Sequence, residues 1–217
     1  MSGIERIVLG TRNAKKRAEI ETILADLAVE LRTLDDYPGS GDVKETGATF
    51  EANARRKASE YARRIGEWVL AEDSGLEVDA LGGLPGVESA RYAGPEQDDD
   101  KNVAKLLAAL EGAPDHERTA RYHAVAALAD PGGLVRIVAH GRVEGLITVE
   151  RRGTGGFGYD PVFHYPPFGR TFAQVAPEKK NGVSHRRSAL DALHDKLKAL
   201  VAEEPSATGR SKDGGET

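Results

Sequence analysis

The chain has 217 residues, 39% of them hydrophobic and 30% charged, and a formal net charge of −5. This is the composition of an ordinary globular protein, and its acidic balance argues against nucleic acid as a partner, which needs clustered positive charge. The chain has no cysteine, which excludes disulfides and thiol chemistry, and no apolar run of transmembrane or signal-peptide length, so we expect a cytoplasmic protein with no membrane partner.

The first half of the chain predicts alternating strands and helices. Residues 4–9 form a predicted strand, and a turn at residues 10–13 leads into a helix. That helix has apolar residues at helical spacing: Ile20, Ile23, Leu24 and Leu27. Thr49 is predicted to cap a second helix that runs to about residue 65. The apolar run 68–71 is typical of a strand buried on both faces, and a half-buried strand is expected to follow from Leu76 to Ala80.

The second half opens with a glycine-rich loop at residues 82–94 and a helix that begins near Asp98. Predicted strands at residues 122–129 and 134–139 are joined by a hairpin turn, and a third strand is expected near residues 146–149. Ser184 is predicted to cap a last helix with an apolar stripe: Leu190, Leu193, Leu197 and Leu200.

These elements predict an α/β protein with a mixed parallel and antiparallel sheet. We expect residues 1–203 to form a single domain. The polar tail, residues 204–217, is predicted to be disordered.

The first strand–turn–helix is a candidate phosphate site. Free backbone N–H groups at a helix N-terminus attract anions, and Thr11, Asn13, Lys15 and Lys16 add polar and positive side chains. The alternative is a capped surface helix with solvated lysines, and the spacing by itself favours that alternative.

A second candidate group consists of Glu45, Asn53 and Lys57. Asn53 and Lys57 are four residues apart and therefore share one face of the second helix. A carboxylate, an amide and an ammonium close together suit a metal–phosphate complex. The neighbouring arginines equally suit a charged, exposed helix face, so this group is weak evidence by itself.

The segment Glu72-Asp73-Ser74-Gly75 is stronger evidence. It is predicted to lie just past a buried strand, where α/β proteins bind ligands. Two adjacent carboxylates there are costly unless a cation or a hydrogen-bond network receives them, and Mg²⁺ commonly takes one or two carboxylates. Neighbouring side chains of an extended chain point to opposite faces, so we expect only one of the two to lead the chemistry. The alternative is a polar turn.

The glycine-rich stretch 153–158 matches Gly-x-Gly-x-x-Gly, but the prolines after it oppose the helix that a dinucleotide fingerprint must open. Phe157, Tyr159 and Asp160 offer instead aromatic faces and a carboxylate that suit a nucleobase. The alternative is a core aromatic in a tight loop. Further along, the cations of residues 185–187 oppose the dipole of the last helix, which favours an anionic or carbonyl-rich ligand over solvent screening.

Other charged or histidine residues are interpreted as structural. The run Asp98–Asp100 complements a helix dipole. His123 and His140 flank the predicted hairpin without a partner at metal-ligand spacing, and His116 lies in a polar loop.

The order of these motifs closely resembles the inosine triphosphate pyrophosphatase family, also called XTP/dITP diphosphatases. The resemblance extends from about residue 7 to residue 200 and is carried by five segments: 11–16, 45–54, 72–86, 155–161 and 180–186.

The resemblance implies an elongated mixed sheet in two lobes with the active site in the cleft between them, a homodimer, and Mg²⁺-dependent hydrolysis of non-canonical purine nucleoside triphosphates between the α- and β-phosphates. Asp73 is implied as the catalytic base, with Lys57 neutralising phosphate charge. The implied metal ligands are Glu45, Asp73 and Glu72. The implied substrate-binding residues are Thr11, Arg12, Asn13, Ala14, Lys15, Lys16, Asn53, Ser74, Phe157, Gly158, Tyr159, Asp160, Lys180, His185 and Arg186.

Two alternatives stay open at this point. The chain could be a nucleotide pyrophosphatase of another base specificity, or a nucleotide-binding sensor without catalysis. Glu72 stands where some family members carry aspartate, which leaves the role of this second acidic residue open.

Overall fold

A computed structural model describes residues 4–27 and 29–203. Within these residues a single seven-stranded sheet has the order β2-β1-β3-β4-β5-β6-β7. The strands are β1 (Arg6–Leu9), β2 (Glu30–Thr33), β3 (Val69–Val78), β4 (Thr119–Ala129), β5 (Val135–Ile147), β6 (Phe163–Tyr165) and β7 (Arg170–Thr171). β1 runs parallel to both β2 and β3, whereas every other neighbouring pair is antiparallel. The predicted mixed sheet is confirmed.

Five helices flank the sheet: α1 (Ala14–Ile23), α2 (Phe50–Ile65), α3 (Asp99–Ala109), α4 (Pro177–Asn181) and α5 (His185–Glu203). Three begin at side-chain caps, because Asn13, Thr49 and Asp98 each accept a hydrogen bond from a backbone N–H of the first turn. In α5 the Ser184 hydroxyl accepts from the Arg187 N–H at 3.1 Å, as its sequence predicts. No helix in the described part of the chain is long and apolar enough to cross a membrane.

Apolar clusters on the sheet define two lobes. At the β2-β1-β3 end, α1 and α5 pack on one face around Ile20 and Leu193, and α2 packs on the other face around Phe50. At the opposite end, α3 packs through Val103 and Leu106 against the far halves of β3, β4 and β5. These three long strands therefore join the lobes, and a cleft opens between them.

Two predicted breaks in the sheet are wrong. The runs expected as separate strands on either side of residues 72–75 form one ten-residue strand, β3, and the strands expected at 134–139 and 146–149 are both parts of β5. The short strands β2, β6 and β7 lie at or near the sheet edges and were not predicted. The predicted disordered tail at 204–217 lies outside the described residues, as does the side chain of Leu200.

Gly141 lets the N-terminal part of α5 lie directly on β5. A Cβ at this position would collide with the backbone carbonyl of His185 and the backbone N–H of Ala189. We therefore expect Gly141→Ala to push α5 away and lower the free energy of unfolding by about 1–3 kcal/mol, as overpacking does. Urea unfolding measures this loss.

Gly132→Ala is the matched control, because a Cβ there meets only the Asp130 carboxylate at 3.4 Å. An equal loss of stability in both variants would contradict close packing at Gly141 as the cause.

Candidate active site

The cleft between the lobes holds a concave cavity, the kind of surface on which small molecules bind. One wall comes from the start of α1, the middle of β3 and the start of α5, and the other from the 157–160 loop and the start of α3. Six of the lining residues are Lys16, Ser74, Phe157, Asp160, His185 and Arg186. The structure thus brings together motifs from four distant parts of the chain.

Glu72 and Asp73 lie inside β3, not beyond its end as the sequence predicts. Because successive side chains of a strand alternate, Glu72 faces α5 and Asp73 faces α2. The expectation that the two side chains point to opposite faces is confirmed. β1 pairs with β3 only as far as Leu70, so in the described structure the edge of β3 at residues 71–76 faces no neighbouring strand on that side. A ligand bound along this edge would be near side chains on both faces of the sheet.

Glu72 belongs to a buried ion-pair network. The Arg186 guanidinium donates to its two oxygens at 2.5 and 3.2 Å, and Lys16 Nζ lies 3.9 Å away. Burial by itself would raise the pKa of Glu72, but the charges of Arg186 and Lys16 outweigh it and hold the pKa far below its ordinary value. This arrangement argues against the prediction that Glu72 is a metal ligand, because Arg186 already occupies both oxygens.

Asp73 faces a second polar group formed by Asn53, Lys57 and Glu45. The Asn53 amide donates to Asp73 Oδ2 at 3.0 Å, and Lys57 Nζ bridges Asp73 Oδ1 at 3.4 Å and Glu45 Oε1 at 2.5 Å. Burial raises the pKa of Asp73 despite the opposing charge of Lys57. The pKa of Lys57 is raised, since Asp73 and Glu45 more than offset its burial.

This second group can hold a divalent cation only if ligands other than protein side chains fill part of the coordination shell. Two carboxylates around a buried, desolvated position suit Mg²⁺, which keeps several waters and takes few protein oxygens. The described residues contain no group of three or more His, Asp or Glu side chains arranged to hold a metal ion. Water and substrate oxygens would therefore have to complete the coordination of a cation held by Asp73 and Glu45.

At the start of α1, two backbone N–H groups are already hydrogen-bonded, unlike those of a helix N-terminus that is free to bind an anion. Asn13 Oδ1 already accepts from the N–H groups of Lys15 and Lys16, at 3.0 and 3.1 Å, and Thr11 Oγ1 accepts from the N–H of Asn13. Arg12 points away and binds Asp42 and Ser40 at 3.0 and 3.1 Å. These contacts favour the lysine ammonium groups, rather than Arg12 or the backbone, as anion ligands. Ala14 contributes no polar side-chain atom.

Burial lowers the pKa of Lys16 more than neighbouring carboxylates raise it. An anion beside Lys16 would therefore favour its charged form. Lys15 is more exposed, lies 3.9 Å from Asp99 and places its ammonium 5.6 Å from the centre of the Phe157 ring.

The 157–160 loop is held by Asp160. Its Oδ2 accepts from the backbone N–H of Phe157 at 2.9 Å and from Lys180 Nζ at 2.6 Å. Lys180 also lies 4.6 Å from the centre of the Phe157 ring. Tyr159 is buried, and its hydroxyl donates to the Ser89 carbonyl at 2.9 Å, so Phe157 is the better placed aromatic for stacking. Gly158 donates its N–H to Asp99 at 2.9 Å.

His185 and Tyr122 form a stacked pair in the cavity wall, with ring centres 4.8 Å apart and planes within 14°. Burial lowers the pKa of His185 well below its ordinary value, aided by the charge of Arg186. A neutral imidazole results at physiological pH. Its buried Nδ1 has no hydrogen-bond partner among the described residues.

Sequence reasoning missed four residues at this site. Glu19 binds both Lys180, at 3.3 Å, and Arg186, while Tyr122 and Ser89 line the cavity. Asp99, interpreted as a dipole-complementing residue, also lines it and binds Gly158. Of these four, only Glu19 could have been found from the sequence, because it lies three residues after Lys16 on the same face of the helix.

Comparisons with known proteins agree with this geometry. The model of the Ham1 family matches residues 7–196. The dITP/XTP pyrophosphatase of Geobacillus kaustophilus is 48% identical over 198 residues, covering 91% of this chain and 97% of that protein.

Two solved structures are similar as well. A HAM1 protein from Coxiella burnetii is 41% identical with a TM-score of 0.83, covering 90% of this chain and all of that one. A nucleoside-triphosphatase / dITP/XTP pyrophosphatase from Mycobacterium abscessus is 42% identical with a TM-score of 0.69, covering 92% and 99%.

Proposed function

Because this chain belongs to the Ham1 family, as its motif order predicts, we propose that it hydrolyses non-canonical purine nucleoside triphosphates such as ITP, dITP and XTP. The products are the nucleoside monophosphate and pyrophosphate. The observation that carries the proposal is the cavity that places the rings of Phe157 and His185 beside the positive side chains of Lys16 and Arg186, next to the segment of β3 that carries Asp73. This activity removes wrong bases from the nucleotide pool.

The aromatic end of the cavity supports a base site. Phe157 offers a partly exposed ring for stacking, and His185 lines the same cavity. A neutral His185 carries one N–H, which would donate to the carbonyl at position 6 of hypoxanthine or xanthine, whereas adenine presents an amino donor there. Arg186 is less suited to this role, because Glu72, Glu19 and Ser74 already use four of its five N–H groups.

The charged end supports hydrolysis. Asp73 would orient the attacking water and accept its proton, since its carboxylate is buried and its pKa is raised towards that of a general base. Lys16 and Lys57 would stabilise the negative charge that grows on the phosphate oxygens. Mg²⁺, held by Asp73 and Glu45, would supply charge neutralisation and a more acidic bound water. Glu72 would act indirectly by anchoring Arg186 and Lys16.

Pyrophosphate release over a panel of ITP, dITP, XTP, GTP, ATP and dTTP tests the proposal. We expect turnover of the first three to exceed that of ATP by at least about tenfold, the discrimination that a misplaced polar group imposes. Comparable rates on dTTP would favour another base specificity. No release from any substrate would favour a non-catalytic sensor.

Metal dependence has its own test. Because Asp73 and Glu45 offer only carboxylate oxygens, we expect EDTA to abolish turnover and Mg²⁺ to restore it, with Ca²⁺ much less effective since it requires longer bonds and more ligands. Full activity after exhaustive chelation would contradict a metal role.

A homodimer and a cytoplasmic location complete the proposal. The homodimer rests on the resemblance to the family, and the location on the composition of the chain. Light scattering of the full chain tests the dimer.

A further inference from the structure

A groove separate from the cavity lies on the α2 face of the sheet, beyond the N-terminus of α2. His123 of β4 and His140 of β5 both point into it, because Val125 pairs with His140 and His123 lies two residues before Val125 on the same face. Gly75 pairs with His123, and Phe50, Gly86 and Ser89 pack closely over it. Asp73 lies two residues further along β3, and the Phe50 ring packs edge-on against His123 on that side.

The two imidazoles face each other through His123 Nε2 and His140 Nδ1, 3.4 Å apart. Their other nitrogens face carboxylates: His140 Nε2 lies 3.3 Å from Glu51, and His123 Nδ1 lies 3.8 Å from Glu77. His123 is only 8% exposed, and its Nδ1 has no hydrogen-bond partner in the described structure. A proton on His123 Nε2 gives a hydrogen bond between the two histidines, whereas the tautomers with protons on the outer nitrogens direct both protons towards carboxylates.

Those tautomers leave two lone pairs directed at each other. A cation between the facing nitrogens removes the repulsion, and a carboxylate behind each histidine is the usual support of a metal-bound imidazole. With metal–nitrogen bonds of about 2.0–2.1 Å, nitrogens 3.4 Å apart subtend about 110°, close to tetrahedral.

We propose that His123 Nε2 and His140 Nδ1 bind a first-row transition cation such as Zn²⁺, with Glu77 and Glu51 as supporting carboxylates and water completing the coordination. Imidazole nitrogens suit this class of cation, whereas Mg²⁺ prefers oxygen. The site is open and exchangeable, since the described residues offer no third His, Asp or Glu arranged to close it. His140, about half exposed, provides the entry side. This inference does not depend on the proposed function.

Isothermal titration of the full chain with ZnCl₂, in a buffer containing millimolar MgCl₂, tests the site. We expect about one Zn²⁺ per chain for the wild type, and at least a tenfold weaker affinity for His140→Gln and for His123→Gln, each of which loses one of two ligands. His140→Gln alters a partly exposed side chain and keeps the test valid if His123→Gln does not fold.

His116→Gln is the matched control, because His116 is exposed, precedes β4 and does not line this groove, and it should bind as the wild type does. Asp73→Asn should also retain binding, which separates this site from the carboxylates of the cavity. Absence of binding in the wild type, undiminished binding in His140→Gln, or loss of binding in Asp73→Asn alone would each overturn the proposal.

Discussion

Asp73→Asn should fold normally and lose at least about 10³-fold in turnover of ITP, the range that removal of a general base causes. The substitution keeps the shape of the side chain, and its amide oxygen still accepts from Asn53, which donates to Asp73 at 3.0 Å. It removes the carboxylate that the proposed mechanism uses to accept the proton of water. Burial already raises the pKa of Asp73, so losing the charge costs the fold little.

Pyrophosphate release at saturating Mg²⁺ measures the effect, and circular dichroism with thermal unfolding checks the fold. Asp79→Asn is the matched control. Asp79 follows the same strand but is exposed, and it pairs with Arg121 at 2.8 Å away from the cavity. Turnover by Asp73→Asn within tenfold of the wild type would remove Asp73 from the mechanism.

Arg186→Ala should lower the free energy of unfolding by about 3–5 kcal/mol, the cost of breaking a buried ion pair from one side. Arg186 is 1% exposed and holds both Glu72 and Glu19, so its loss leaves two inward-facing carboxylates without their main cation. The double variant Arg186→Met with Glu72→Leu should recover much of this loss, because buried pairs are often replaceable by apolar side chains.

Urea unfolding of the single, double and control variants separates these effects. Arg187→Ala is the control, since Arg187 is exposed and, among the described residues, its side chain pairs only with Asp191 one helical turn away. This substitution should lower the free energy of unfolding by about 0.5 kcal/mol or less. If Arg186→Ala were as stable as Arg187→Ala, Arg186 would have to serve ligand contacts rather than the fold.

The helices of this protein follow from its sequence because their signals are local. Asn13, Thr49 and Asp98 each bond a backbone N–H two or three residues away, and the apolar stripes recur within each helix. Alternation along a strand is local too, which is why the opposite directions of Glu72 and Asp73 could be predicted. The order of the motifs along the chain likewise indicates the family without reference to the fold.

The sheet was harder to predict. The two carboxylates in residues 72–75 give this segment the composition of a polar turn, yet β3 continues through it without a break. It does so because Arg186 stabilises Glu72, while Asn53 and Lys57 stabilise Asp73. Polar edge strands such as β2 have no alternation signal and form only because a neighbouring strand supplies hydrogen-bond partners.

By itself, then, the sequence determined the four longer helices but not the short α4, together with the alternating directions of Glu72 and Asp73 and the family. Only the tertiary structure decided the roles of individual charges. Glu72 and Arg186 are 114 residues apart in the chain, and Glu19 and Arg186 are 167 apart. A charge costs free energy when buried unless a partner lies within a few ångströms, and such distant partners are known only once the chain has folded.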